Sequence, residues 1–181
     1  DRVERGLRVG LTGDHQVLNA GVALTVLSTL TDQLPVEDWR SVVDGLLEVE
    51  HPGRLEALDS GLLVDCAHNL ESAVALATYL RGLPRDQPRT LLLGASNDKD
   101  VRSMIGPLSG QVDKVLTTQC SHPRASSAGD LAKELIDVQV PVMPAGPIED
   151  VLPLVRANGG LVIVAGSVFL AGAGRELFAG A

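Results

Sequence analysis

Between Glu71 and Phe178 the chain alternates apolar runs of strand length with amphipathic segments of helix length, and no other feature restricts its fold as tightly. The pattern predicts helices over Glu71–Leu83, Val101–Leu108, Ala128–Asp137, Ile148–Asn158 and Val168–Phe178. Between them it predicts strands over Thr90–Gly94, Lys114–Thr118, Val140–Met143 and Leu161–Ala165. Strands alternating with helices imply an α/β fold: a mostly parallel sheet, right-handed crossovers, and helices on both faces. Ahead of this rhythm, Arg54–Leu58 and Leu62–Cys66 flank Asp59-Ser60-Gly61 and read as a β-hairpin opening the sheet. Pro153 is at odds with the helix Ile148–Asn158, tolerable if that helix starts late or kinks.

Two further helices precede the hairpin. Asp14 is a capping residue for a helix carrying Val17, Leu18, Ala20, Val22, Leu24, Val26 and Leu27, which ends before Thr31-Asp32. With so little polar surface it is expected to be buried on most sides. After Pro35, a helix from Val36 to about Val49 puts Trp39, Val42, Val43, Leu46 and Leu47 on one stripe. His51-Pro52-Gly53 then breaks the chain and marks a boundary, giving segments 1–52 and 53–181.

Composition narrows the function. The 181 residues carry a formal charge of −8, which opposes wrapping a nucleic acid, because each phosphate contact needs a Lys or Arg. The longest apolar runs fall well short of the roughly 20 residues a membrane helix needs. With no charged-then-apolar leader, the expected location is cytoplasmic, with neither nucleic acid nor membrane as partner. Cys66 and Cys120 form no paired motif, so both are expected as reduced thiols. The Cys-x-His spacing of Cys66/His68 and Cys120/His122 matches no common zinc pattern, and no metal site is expected.

A parallel sheet gathers every strand-to-helix loop on one edge, where such folds bind ligands. Here those loops are Asp65–Asn69, Ala95–Asp100, Gln119–Ser127, Ala145-Gly146 and Gly166-Ser167, and they hold most of the chain's reactive side chains. The opposite turns, Pro84–Pro88 and Asn158–Gly160, read as plain connections. Each residue has a bland alternative. Ser167 either offers a hydroxyl to an anion or caps its own helix, and alone the cap is favoured. His68 either acts on a phosphoryl group or bonds backbone. Asp65 either meets a ribose hydroxyl or satisfies nearby amides. Lys99 and Arg124 either meet an anionic substrate or lie on solvated loops. Gly172-Ala173-Gly174 follows a helical stretch rather than a strand, and the Asp65–Asn69 loop has no glycine, so a nicotinamide dehydrogenase is disfavoured.

Taken together, His15-Gln16-x-x-Asn19-Ala20, Pro52-Gly53-Arg54-Leu55-Glu56, Asp65-x-Ala67-His68-Asn69, Asp98-Lys99-Asp100, Pro123-Arg124-Ala125 and Gly166-Ser167 resemble folylpolyglutamate synthase/dihydrofolate synthase, a branch of the Mur ligase superfamily. The resemblance runs from about Leu11 to the end. It implies an ATP-dependent amide ligase: a carboxylate of dihydropteroate or a folate is phosphorylated, and the amine of L-glutamate displaces phosphate. It also implies a Rossmann-like C-terminal domain over 53–181, preceded by the tail of a central ATPase domain over 1–52. By the same resemblance Asn19, Arg54 and Asp65 bind ATP, His68 is catalytic, and Lys99, Arg124 and Ser167 hold glutamate. Full-length members of this kind are expected as monomers.

One departure stands out: no G-x-x-x-x-G-K-[ST] loop occurs, nor any Gly-Lys pair to begin one. The expected Mg2+ ligands and phosphate cradle therefore belong to an ATPase domain outside this chain, and the chain alone is expected to be catalytically silent. Two alternatives stay open: a UDP-N-acetylmuramoyl-peptide ligase fragment, and a non-catalytic Rossmann-like binding module.

Overall fold

Strand β3 (Arg89–Leu93) and strand β6 (Leu161–Ala165) are buried at every residue, as strands must be when helices cover both faces of a sheet. The computed structural model describes residues 8–30, 32–33 and 36–180, and the chain divides into two compact units, 1–52 and 53–181.

In the second unit the elements run β1 (Glu56–Asp59), β2 (Leu62–Val64), α3 (Leu70–Gly82), β3, α4 (Val101–Ser109), β4 (Lys114–Gln119), α5 (Ala128–Glu134), β5 (Val142–Pro147), α6 (Ile148–Ala157), β6 and α7 (Val168–Ala179). The six strands form one sheet in the order β1-β2-β6-β3-β4-β5. β1 and β2 are the expected antiparallel hairpin, and all other pairs are parallel. Alternate residues of β6 feed different cores: Leu161, Ile163 and Ala165 join α3, α4 and α5, whereas Val162 and Val164 join α6 and α7. The predicted α/β architecture is thus the observed one.

This arrangement places a reversal at β6. The chain leaves β2 and β3 toward the α3–α5 face but leaves β6, which lies between them, toward the α6–α7 face. Neighbouring loops that part to opposite faces open a crevice at the carboxyl edge, the usual ligand position in open α/β sheets.

Three local expectations are corrected. β5 begins later and runs through Ala145-Gly146, which are strand residues rather than a loop. As the sheet's outer strand it tolerates Pro144 and Pro147, its register shifts opposite Thr117/Thr118, and Gly146 takes φ 88° there. Helix α5 stops at Glu134, three residues early. Helix α6 runs from Ile148 without starting late, and Pro153 lies on its exposed side.

The first unit contains α1 (Asp14–Thr29) and α2 (Trp39–Glu48). Asp14 does not cap α1. Gly13 occupies the cap and Asp14 lies in the first turn, where its charge suits the helix dipole. α2 begins at Trp39 rather than Val36, because the Asp38 carboxylate takes the Arg40 and Ser41 amides. Gly10 approaches α2 so closely that a Cβ would fall 2.2 Å from the Leu47 carbonyl oxygen, while its own amide donates to the Leu46 carbonyl at 2.8 Å. The expected burial of α1 is not observed: Val17, Leu18 and Val22 are 55%, 74% and 64% exposed, and its one buried side chain is Gln16. Among the described residues this unit has no strand to cover that face. Thr31 and Pro35, which bounded the expected helices, lie outside the described residues.

Candidate functional site at the carboxyl edge

The turn between the units' boundary and β1 is tied down at three points. Gly53, at φ 75°, gives its carbonyl to the Cys66 amide at 2.7 Å, and a Cβ on it would sit 2.8 Å from the Cys66 Sγ. Its amide donates to Glu56 Oε2 at 2.6 Å, and the same oxygen accepts from Arg175 Nε at 2.7 Å. Leu55, buried and held at φ 45°, donates its amide to Asp65 Oδ2 at 2.8 Å. A left-handed Leu costs on the order of 1–2 kcal/mol, so the buried Asp65 carboxylate and the packed side chain must hold it. Arg54 sits between these anchored residues, half-buried, on backbone that has little freedom to move.

Asp65 follows β2 directly, and its Oδ1 accepts the Ala67 amide at 2.8 Å. Its carboxylate therefore joins the Gly53–Glu56 turn to the strand-to-helix loop. His68 Nδ1 lies 2.9 Å from the Cys66 carbonyl oxygen, which can only accept, so Nδ1 carries the proton and Nε2 remains an acceptor in the neutral ring. Asn69 caps α3 in a reciprocal box with Ser72. Burial pushes the Cys66 thiol up, against the opposing charge of Arg54, and Cys66 and Cys120 are both free.

The neighbouring loop needs a glycine. Gly166 stands at φ 117°, and a Cβ there would meet the Gly94 carbonyl oxygen at 2.3 Å. Ser167 is buried and caps α7, accepting the Leu170 amide at 3.0 Å. After β3, Asp100 caps α4 through the Ser103 amide, and Lys99 Nζ lies 3.5 Å from Asp98 Oδ2. After β4, Ala125 pairs with Ser96, and Asn97 donates to the Arg124 carbonyl at 3.0 Å, so the loops bearing Lys99 and Arg124 are stitched together. His122 stacks on Phe169 of α7 with ring centroids 3.7 Å apart and accepts the Arg124 amide at Nδ1. A small cleft lined by Ser96, Gln119, Cys120, His122, Ser167 and Phe169 joins the ends of β3, β4 and β6.

Of the expected residues, Arg54, Asp65, His68, Lys99, Arg124 and Ser167 all occupy loops on the carboxyl edge of this sheet. Asn19 belongs to the first unit, where its Nδ2 donates to Gln16 Oε1 at 2.9 Å. Sequence reasoning did not single out Glu56 as an anchor, Arg175 as its partner, or the His122–Phe169 stack. The last had a faint signal in a histidine two residues before Arg124; Arg175 had none. Among the described residues no group of three or more His, Cys, Asp or Glu could hold a metal ion, and no helix is long and apolar enough to cross a membrane.

A parallel sheet with helices on both faces, a reversal at β6, and cations, an imidazole and helix-end hydroxyls on one rim define an α/β domain suited to anionic ligands. Residues 53–168 match the Mur ligase, glutamate ligase domain, and the chain belongs to that family. It is 31% identical to the dihydrofolate synthase/folylpolyglutamate synthase of Mycobacterium tuberculosis over 93% of this chain and 39% of that protein. A solved folylpolyglutamate synthase from Mycobacterium tuberculosis, complexed with ADP and AMPPCP, superposes with a TM-score of 0.82 at 29% identity, covering 95% of this chain and 42% of the other. The bifunctional folylpolyglutamate synthase/dihydrofolate synthase of Yersinia pestis, complexed with AMPPNP and a Mn ion, gives 0.77 at 28% identity, covering 98% and 42%. The chain thus spans less than half the length of the relatives it matches.

Proposed function

We propose that this chain is the C-terminal part of an ATP-dependent amide ligase that adds L-glutamate to dihydropteroate, folates or both through an acyl phosphate. The reading rests chiefly on one observation: the loops after β2, β6, β3 and β4, carrying Asp65, Ser167, Lys99 and Arg124, leave the same sheet edge around a topological reversal, and Asp65 holds the Leu55 amide next to Arg54. On this reading 1–52 is the tail of an ATPase domain and 53–181 the glutamate ligase domain.

The Arg54 guanidinium, presented by a clamped turn, suits the phosphates of ATP, where charge develops as the acyl phosphate forms. Asp65 keeps that turn in place through the Leu55 amide and is assigned to the ribose region of the nucleotide. His68, whose Nδ1 is engaged by the Cys66 carbonyl, is assigned the proton of the attacking amine through Nε2. Lys99 and Arg124 supply cations for the carboxylates of glutamate, and the start of α7 at Ser167 adds a favourable dipole. Asn19 is assigned to the adenine. Mg2+ is assigned to the ATPase portion, to which the phosphate loop of such ligases belongs.

The test is ligation in the full-length protein, following glutamate incorporation and phosphate release with pteroate, folate and UDP-N-acetylmuramoyl-peptide acceptors in parallel. Glutamate transfer to a pterin acceptor is expected. Transfer only to the nucleotide-sugar peptide, or nucleotide binding with no transfer at all, would reject the folate reading.

A further inference from the structure

Arg175 lies two turns into α7, away from the rim that holds the proposed ligands, yet its Nε donates to the Glu56 oxygen that also receives the Gly53 amide. One turn earlier on the same helix face, the Ala171 Cβ is 3.6 Å from where a Gly53 Cβ would stand. The helix therefore touches the Gly53–Glu56 turn twice, once by packing and once by charge. Glu56 is three-quarters buried as a side chain, so its carboxylate would be costly there without a cation. The turn itself includes the strained Leu55, the only non-glycine at positive φ among the described residues. A backbone held in such a conformation needs restraint from its surroundings, and strain of this kind gathers at functional positions. Its ties run through Gly53, Leu55 and Glu56 and leave Arg54 as the residue being presented.

We propose that Arg175 is a positioning residue for Arg54: it fixes the Glu56 carboxylate, which fixes the Gly53 amide, and so sets where the Arg54 guanidinium stands. Because α7 also begins at Ser167, one rigid helix couples the turn that carries Arg54 to the loop after β6. That Arg54 meets a nucleotide rests on the function proposed above; that Arg175 governs the turn does not.

The experiment uses the full-length protein with Arg175→Met, Arg175→Lys, Glu56→Gln, Arg54→Ala and the Arg54→Ala/Arg175→Met double variant. Two readouts are taken: kcat/KM for ATP, and hydrogen exchange in peptides covering residues 53–58. Arg175→Met is expected to lower kcat/KM about tenfold, as small displacements of a positioned group do, and to speed exchange at 53–58 while leaving other segments unchanged. Arg175→Lys restores most of both losses. The double variant is no worse than Arg54→Ala, since Arg175 acts only through Arg54. Should Arg175→Met not fold, Glu56→Gln carries the test, with faster exchange at 53–58 and a smaller loss of kcat/KM expected. Unchanged exchange in the folded variant, or a double variant whose loss equals the product of the two single losses, overturns the proposal. If the unmodified protein ligates nothing, the function proposed above fails, and the exchange measurement still decides the role of Arg175.

Discussion

Two arginines of the second unit, thirty-five positions apart, make opposite demands on an experiment. Arg89 opens β3 and is 1% exposed. Its Nη1 donates to the Leu80 carbonyl at 2.8 Å and the Gln111 carbonyl at 3.3 Å, and its Nη2 to the Leu83 and Pro84 carbonyls, each at 3.0 Å. One side chain therefore closes the carboxyl end of α3 and the turn beyond it, where the Leu80 carbonyl otherwise accepts the Leu83 amide at a long 3.3 Å. Arg89→Met keeps most of the aliphatic stem and removes the donors. The Leu80 carbonyl, in a buried bond, loses about 2 kcal/mol, and the three partly buried carbonyls, which water can reach in part, lose about 0.5–1 kcal/mol each. The total is about 4 kcal/mol. At about 2–4 °C per kcal/mol for a chain of this size, Tm should fall by roughly 8–16 °C.

Circular dichroism melts of the chain and of Arg89→Met measure this directly. Arg85→Met is the control, because Arg85 bonds the Gly110 carbonyl and Asp113 from an exposed position and should cost under about 1 kcal/mol. A melting temperature for Arg89→Met within about 3 °C of the unmodified chain would refute the assignment of Arg89 as the closure of α3.

On the function proposed above, Arg54→Ala should do the reverse, lowering ligation by the full-length protein at least tenfold while moving Tm by no more than about 2 °C; a large fall in Tm would instead make Arg54 a structural residue. Gly166→Ala places a methyl 2.3 Å from the Gly94 carbonyl on a left-handed backbone, and chemical denaturation should record a loss of about 2 kcal/mol or more, against which an unchanged midpoint would count. The amide of Arg89, then the guanidinium of Arg85, holds the Asp113 carboxyl below its ordinary value, so Asp113 adds stability above the usual carboxylate range that is lost as pH falls through its lowered value; Asp113→Asn should flatten the acid limb below about pH 4 by under about 1 kcal/mol, and identical limbs would remove that link. Leu18→Glu, at a side chain 74% exposed, should leave Tm within about 1 °C and raise solubility, and a clear loss of stability would mean that Leu18 packs in the isolated chain.

Periodicity made most of the second unit legible because its strands are buried on both faces, so nearly every residue in them must be apolar. Where that constraint relaxes, the reading slipped. β5 lies at the sheet's edge, admits Pro144, Gly146 and Pro147, and looks like a loop until Thr117 and Thr118 are known to pair with it. Arg89 falls between the expected turn Pro84–Pro88 and the expected strand from Thr90 and drew no reading, since nothing local discloses that four carbonyls converge on it from residues 80 to 111. α1 failed for the converse reason: its apolar pattern reports what would bury it, and the described part of the first unit has nothing that does. The sheet edge that carries the proposed site residues was legible, but not the division of labour between acids that anchor backbone and the cations beside them.

That division follows from burial and charge. The acids near the rim are largely spent on structure: Asp65 on the Leu55 and Ala67 amides, Glu56 on Gly53 and Arg175, Asp100 on the Ser103 amide. Each of these bonds lowers the cost of keeping a carboxylate near the low-dielectric sheet, and each fixes a stretch of backbone that bears or adjoins a cation. A chain with a formal charge of −8 thereby offers Arg54, Lys99 and Arg124 on one edge while its neighbouring carboxylates face backbone amides and one another's cations. Anionic ligands such as nucleotide phosphate and glutamate need such a locally positive rim, and net charge has little bearing on it. Exchanging Asp65 for Asn keeps its shape and can retain one amide bond, yet turns its NH2 group toward either the Leu55 or the Ala67 amide. Asp65→Asn should therefore destabilise the chain by about 1–3 kcal/mol through that opposed donor pair, even before any ligand is added. Equal stability of Asp65→Asn and the unmodified chain in urea titrations would show that the carboxylate is not the clamp described here, and Arg54 would then need another explanation for its position.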